Sequence, residues 1–227
     1  MRASSSIIRR PAAPLLSLAL LAWTGPAAAA QIAATVTDQE GRLLADAVVV
    51  AVPVQDVPPS APPAAREIVD QIGQEFVPHV KPILVGTSVF FPNKDNIRHQ
   101  VYSFSPAKQF ELPLYAGTPA RPIVFDRPGV VVLGCNIHDW MIGYIYVSES
   151  PYFAKTGADG KAQLLDLPAR SYRVRVWHPR LQGPEGATQQ PTDLISTSSR
   201  AELSWKLVLK AEMRVRRAPV PGSRGHY

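Results

Sequence analysis

The sequence predicts an all-β protein made of two sandwiches, and three observations carry that prediction. Short runs rich in β-branched and aromatic residues recur along most of the 227 residues, with Gly, Pro, Asn and Asp between them. Several runs alternate apolar and polar positions at period two. Only one stretch, Ile68, Val69, Ile72 and Phe76, has helical spacing, and it is short.

Residues 1–30 read as a secretory leader. Arg2, Arg9 and Arg10 open it, an apolar run follows from Leu15 to Trp23, and Pro26 with Ala27 to Ala30 supplies a small-residue exit, so cleavage is expected after Ala30. The residues after the Arg9-Arg10 pair fit twin-arginine export poorly; ordinary export to the periplasm is the expectation. The apolar run is too short to span a bilayer, and no later segment is long enough.

From residue 31 the elements follow in order. Ile32, Ala34 and Val36 alternate into the turn Asp38-Gln39-Glu40-Gly41, and residues 43–52 resume a β-rich run. Val57-Pro58-Pro59-Ser60-Ala61-Pro62-Pro63 marks a linker, assigned to 57–75, with a short helix expected over 68–76. Strands are expected at 83–85, 87–91, 99–104, 123–125, 130–133 and 142–147. After Pro151, Ala158-Asp159-Gly160 is a turn, and over 171–177 Tyr172, Val174 and Val176 alternate with Arg173 and Arg175. A polar loop covers about 181–199, and 201–209 reads as the last strand. The basic tail, 211–227, has little apolar surface to bury and is expected to be disordered.

The formal net charge is +6, and three of the arginines lie in the acid-free leader, so the exported part carries +3. That is too mild to argue for nucleic acid, and no basic patch is interleaved with aromatics. Export implies an oxidising compartment, yet Cys135 is the only cysteine, so no disulfide framework exists. A lone exported thiol is exposed to oxidation unless it is buried or bound.

Cys135 opens the heptapeptide Cys135-Asn136-Ile137-His138-Asp139-Trp140-Met141. A thiolate, an imidazole and a thioether within seven residues match the donors of a mononuclear copper site. Taken alone, the stretch is equally a packed cysteine and a packed methionine. Three features favour ligation. The run Val130-Val131-Val132-Leu133 and the alternation of residues 143–147 place the heptapeptide in a loop between two stiff strands. His99 stands at the start of another strand, where it can supply a second imidazole if the two strand ends share one pole of the sandwich. A single cysteine excludes a binuclear copper centre or an iron–sulfur cluster, and two histidines, one cysteine and a weak methionine suit copper better than structural zinc.

On these residues the chain resembles known families. Gly86-Thr87-Ser88-Val89, Phe91-Pro92-Asn93, His99-Gln100-Val101 and the stretch from Gly134 to Met141 make residues 80–147 similar to the cupredoxin (plastocyanin/azurin) family, whose amicyanin members share the Cys-x-x-His-x-x-Met spacing. The whole chain resembles periplasmic plastocyanin-like proteins often labelled methylamine-utilisation proteins. That resemblance implies a Greek-key sandwich over 76–150 holding one type 1 copper ion. Cys135, His99 and His138 would form its trigonal plane, and Met141 would be the long axial ligand. Gln100 departs from the pattern, since many members have Asn immediately after the first histidine. Residues 32–52 and 156–177 resemble neighbouring strands of the carboxypeptidase regulatory-like, transthyretin-like sandwich. With 53–155 between them, this implies a discontinuous host domain, 31–56 and 151–210, into which the metal domain is inserted.

The resemblance implies an exported carrier of single electrons that meets redox protein partners by transient docking near His138. Four ligands leave no open position for substrate, so no enzyme activity is expected. The alternative is a copper-binding, delivery or structural module without an electron-transfer role. His79, His178 and His226 read as structural or surface histidines. Trp140 reads as loop packing, and the acids Asp38, Glu40, Glu149 and Asp159 read as solvated turn residues.

Overall fold

The computed structural model describes residues 30–55, 65–119, 121–194, 196 and 198–211. The leader over 1–29, the proline-rich part of the linker and the tail beyond 211 lie outside them. In chain order, β1 (Ala30–Asp38) and β2 (Val48–Pro53) come first. After the linker come β3 (Arg66–Ile68), β4 (Asp70–Ile72), β5 (Glu75–Val77), β6 (Val80–Leu84) and β7 (Thr87–Phe90). The middle of the chain adds β8 (His99–Ser105), β9 (Lys108–Tyr115), β10 (Ile123–Phe125), β11 (Gly129–Cys135) and β12 (His138–Ser148). The remaining strands are β13 (Phe153–Lys155), β14 (Lys161–Leu167), β15 (Ser171–Trp177), β16 (Gln190–Asp193) and β17 (Arg200–Leu207). The protein is all-β as its pattern predicts; among the described residues the helical content is one 3-10 turn, Glu185–Thr188.

The first and last strands share sheets. β1 lies between β14, antiparallel, and β17, parallel. β2 pairs with β13 and β15, and β16 extends that sheet. Period-two patterning decides which face is buried: Ile32, Ala34 and Val36 meet Val49, Ala51, Tyr172, Val174 and Val176 in one core. The run Val48-Val49-Val50-Ala51 is apolar throughout because both faces of β2 are covered. Val49 and Ala51 face this core, while Val48 and Val50 pack with Val80, Tyr146 and Trp177 of a second cluster. That second cluster joins the two halves of the molecule.

A polar group lies beside it. The Arg175 guanidinium donates to Glu185 (2.6 Å) and Glu149 (2.5 Å), and the Tyr146 hydroxyl donates to Glu185 (2.5 Å). Burial pushes the Tyr146 hydroxyl above its ordinary pKa, which keeps it a donor. Glu149 therefore has a partner that its turn position did not suggest. An apolar side chain taken out of water contributes about 1.5–3 kcal/mol, whereas a half-exposed ion pair contributes about 0.2–1 kcal/mol. The five apolar residues thus supply most of the joint's strength, and the ion pairs fix its orientation.

In the middle of the chain, β10-β7-β3 stacks on the five-stranded sheet β6-β12-β11-β8-β9. Val89, Phe91 and Phe125 on one side meet Val101, Val131, Leu133, Ile145 and Val147 on the other. Phe76 of β5 fills the space above Gly143, where a Cβ would stand 2.7 Å from the Phe76 Cβ.

The structure corrects several expectations. Residues 68–76 form no helix but the hairpin β4–β5, with Gly73 and Gln74 at φ 62° and 61°. Left-handed residues cannot continue a right-handed helix. β3 and β4 consequently fall inside the stretch read as a linker. β9 has no counterpart in the sequence reading: it is an edge strand, half-exposed and carrying Pro113, so its alternation is faint. β16 lies inside the expected polar loop because it pairs through its backbone and buries only Thr192. Ala30, the last residue of the expected leader, is the first residue of β1 and pairs with Leu167. The heptapeptide is not a free loop: β11 runs to Cys135, β12 starts at His138, and only Asn136 and Ile137 turn between them.

Candidate metal centre

Strand parity aims the site residues inward. Cys135 shares a face with Val131 and Leu133, His99 with Val101, and Met141 with Ile145 and Val147, and each of these faces lines the middle sandwich. β8 and β11 pair at Tyr102↔Gly134, which brings the start of one strand beside the end of the other. A Cβ at Gly134 would stand 2.7 Å from the outer end of the Tyr102 ring, so a larger residue there would have to push that ring aside.

His138 reaches the same place through a break in register. Gly134 pairs with Ile142, so an uninterrupted ladder would set Cys135 opposite Met141; instead Cys135 pairs with His138. The three residues from Asp139 to Met141 bulge out of the ladder at this point, and such a bulge re-aims side chains. His138 thereby swings toward the thiol while Met141 stays in the core.

The donor atoms converge. Cys135 Sγ lies 3.8 Å from His99 Nδ1 and 3.9 Å from His138 Nδ1, and the three ligand atoms all lie within 4.8 Å of one another. Metal–sulfur and metal–imidazole bonds of about 2.3 and 2.0 Å at angles near 110–120° separate S from N by about 3.5–3.7 Å. The cluster is therefore spaced to close on one ion with little movement. His99 is 0% exposed, Cys135 3% and Met141 1%, and Met141 belongs to the same buried cluster as Cys135.

His138 is the most accessible member. Its ring centroid is 5.0 Å from that of His99 and 5.1 Å from that of Trp140. Burial, followed by the nearby His99, lowers the His138 pKa below its ordinary value, which favours the neutral ring that a metal requires. Ile137, beside it, is 47% exposed. Trp140 packs on the loop, against the His138 ring, and its buried indole N–H has no hydrogen-bond partner among the described residues.

The loop before His99 contains two residues to which the sequence reading assigned no role. Asn93 donates to the Ile97 and Tyr115 carbonyls (2.8 and 2.9 Å) and accepts from the Asp95 N–H (3.0 Å), forming a local turn that fixes residues 93–97. Asp95 Oδ2 lies 2.8 Å from His99 Nε2. Burial opposes ionisation of Asp95, but N–H groups from Gln74 and Gly73 together with His99 outweigh it and hold its pKa below the usual carboxylate value. The available signal was an acid four residues before the histidine. Gln100 points away from the site and donates to Glu111 (2.6 Å), so it does not bridge the two ligand segments.

Of the other histidines, His79 stacks edge-on against Tyr144 at 5.3 Å, and His178 is buried, accepting the Arg180 N–H at 3.1 Å. Neither approaches the cluster of three. His226 lies outside the described residues. No helix among the described residues is long and apolar enough to cross a membrane.

No protein-family profile and no curated protein matches the chain. Among solved structures it is similar to a copper-containing nitrite reductase from Thermus scotoductus SA-01 (30% identity over 44% of this chain and 26% of that one, TM-score 0.36). It is also similar to a purple cupredoxin from Nitrosopumilus maritimus (26% identity over 37% and 99%, TM-score 0.32) and to an oxidised proline-to-alanine mutant of amicyanin (22% identity over 37% and 83%, TM-score 0.33). The chain spans about a quarter of the length of the nitrite reductase. These similarities are partial.

Proposed function

We propose that this chain is an exported type 1 copper protein that carries single electrons between redox proteins in the periplasm. One observation carries the reading: a buried thiol and two imidazole Nδ1 atoms, drawn from separate strand ends, meet at metal-ligand spacing. Two nitrogens and one thiolate, with a methionine buried in the same cluster as the cysteine, form the donor set that selects copper over zinc or calcium. Bound there, copper would alternate between its two oxidation states and so accept and release one electron.

The residues of the chain do the rest. β8, β11 and β12 hold His99, Cys135 and His138 on stiff strands, so the ligands need not rearrange as the charge changes. Phe91, Val101 and Leu133 exclude water from the interior side. His138 offers the short route to the surface, with Ile137 beside it as part of a small apolar docking patch. This is a carrier, not an enzyme, because protein ligands fill the coordination positions. The antiparallel pairing of β1 with β14 and of β2 with β15 supports a host sandwich into which the metal domain is inserted.

The test is the optical spectrum of the copper-loaded protein. An intense, reversible blue Cu(II) form that disappears in Cys135→Ser is the expected result; colourless or irreversible binding overturns the reading. Electron exchange that is unchanged after bulky charged residues are placed around His138 overturns the port.

A further inference from the structure

Asp95 is bound on three sides. Its Oδ1 accepts the Gly73 N–H at 2.7 Å, and its Oδ2 accepts the Gln74 N–H at 2.9 Å and stands 2.8 Å from His99 Nε2. Gly73 and Gln74 form the tip of the β4–β5 hairpin, and their positive φ angles turn two successive N–H groups toward one carboxylate. The hairpin is itself fastened to the loop carrying Asp95. Gln71 N–H donates to the Pro92 carbonyl (2.9 Å), Lys94 N–H donates to the Gln71 carbonyl (3.0 Å), and Lys94 Nζ pairs with Asp70 (2.7 Å). The Asp95 side chain is 14% exposed, so the carboxylate works in a poorly screened setting.

A carboxylate can only accept, so the hydrogen it faces belongs to His99 Nε2. That assignment leaves the His99 Nδ1 lone pair pointing at Cys135, the orientation a ligand needs. We infer that Asp95 is a positioning residue, latched by the hairpin tip, which fixes the tautomer and pose of His99 and sets a negative charge one imidazole ring away from the ion. The charge favours the more positive oxidation state and so holds the reduction potential down. Only the effects on copper affinity and on potential rest on the copper reading; the effect on the tautomer belongs to the chain alone.

Two measurements on the full chain test this. In metal-free protein carrying ¹⁵N-histidine, long-range ¹H–¹⁵N correlation should show His99 as the Nε2–H tautomer, and in Asp95→Leu as a mixture of both. A wild-type Nδ1–H tautomer overturns the proposal without any substitution that could disturb folding. In the copper-loaded protein, Asp95→Asn should weaken Cu(II) binding about tenfold. It should also shift the Cu(II)/Cu(I) equilibrium toward Cu(I) by up to about tenfold, an upward change of about 59 mV for one electron. Unchanged potential and affinity in a folded Asp95→Asn protein overturn the charge effect. If wild-type protein shows no blue band with copper, the carrier reading fails instead, and the tautomer measurement still decides the role of Asp95.

Discussion

His99 Nδ1 stands 3.8 Å from Cys135 Sγ although thirty-six positions separate the two residues in the chain. The contact depends on β8 and β11 being neighbours in register, so these two side chains are brought together by the sheet and not by a local motif.

Met141 shares the buried cluster of Cys135 and is proposed as the axial ligand. Met141→Leu, a volume-conserving change, should cost less than about 1.5 kcal/mol and leave the blue colour. Losing a thioether donor should raise the potential, whereas the harder oxygen of Met141→Gln should lower it. Redox titration decides; two variants with the wild-type potential would make Met141 a core residue only.

Gly143→Ala should destabilise the protein by about 1–3 kcal/mol, because its Cβ meets the Phe76 Cβ, which cannot rotate away. Phe76 is 2% exposed and packs against the core that Met141 and Cys135 also line. Thermal unfolding should show a Tm lower by about 2–4 °C for each kcal/mol. An unchanged Tm would mean that the hairpin shifts freely.

Arg175 serves Glu185, Glu149 and the Tyr146 hydroxyl at the joint between the two sandwiches. Arg175→Met leaves two carboxylates without their shared cation and should cost about 1–3 kcal/mol. Glu149→Gln removes only a half-exposed pair and should cost under about 1 kcal/mol. Denaturant midpoints that rank these two the other way would show that the joint is held differently.

His178 gives the protein a pH dependence of known sign. Burial, then the Arg180 charge, lowers its pKa to about 4 in the folded chain, against an ordinary value of 6.5. The unfolded chain therefore takes up a proton first as pH falls. The stability from keeping this ring neutral is complete above about pH 6.5 and is lost progressively down to about pH 4. Allowing for screening at the rim, it is worth on the order of 2 kcal/mol. Denaturation across that range should show a steeper fall for wild type than for His178→Gln; equal slopes would place the effect elsewhere.

Local patterning alone specifies the strand-rich class, the alternation that buries Ile32, Ala34 and Val36, and the donor types at Cys135, His138, Met141 and His99. Period-two alternation and side-chain chemistry are written residue by residue, so a reader of the chain can find them. The hairpin over residues 70–77 is not legible in this way: its helical spacing yields to two left-handed residues and a pairing partner in the loop after β7. Nor is the strand character of 108–115, an edge with one face in water. The site itself comes from packing between distant parts of the chain. A three-residue break in the β11–β12 register turns His138 toward the thiol, and a carboxylate held by a distant hairpin tip fixes the ring of His99. The register break lies within one hairpin but is fixed by which of its side chains must be buried, whereas the place of the carboxylate depends on which strands and loops become neighbours, a long-range choice that no short window of sequence contains.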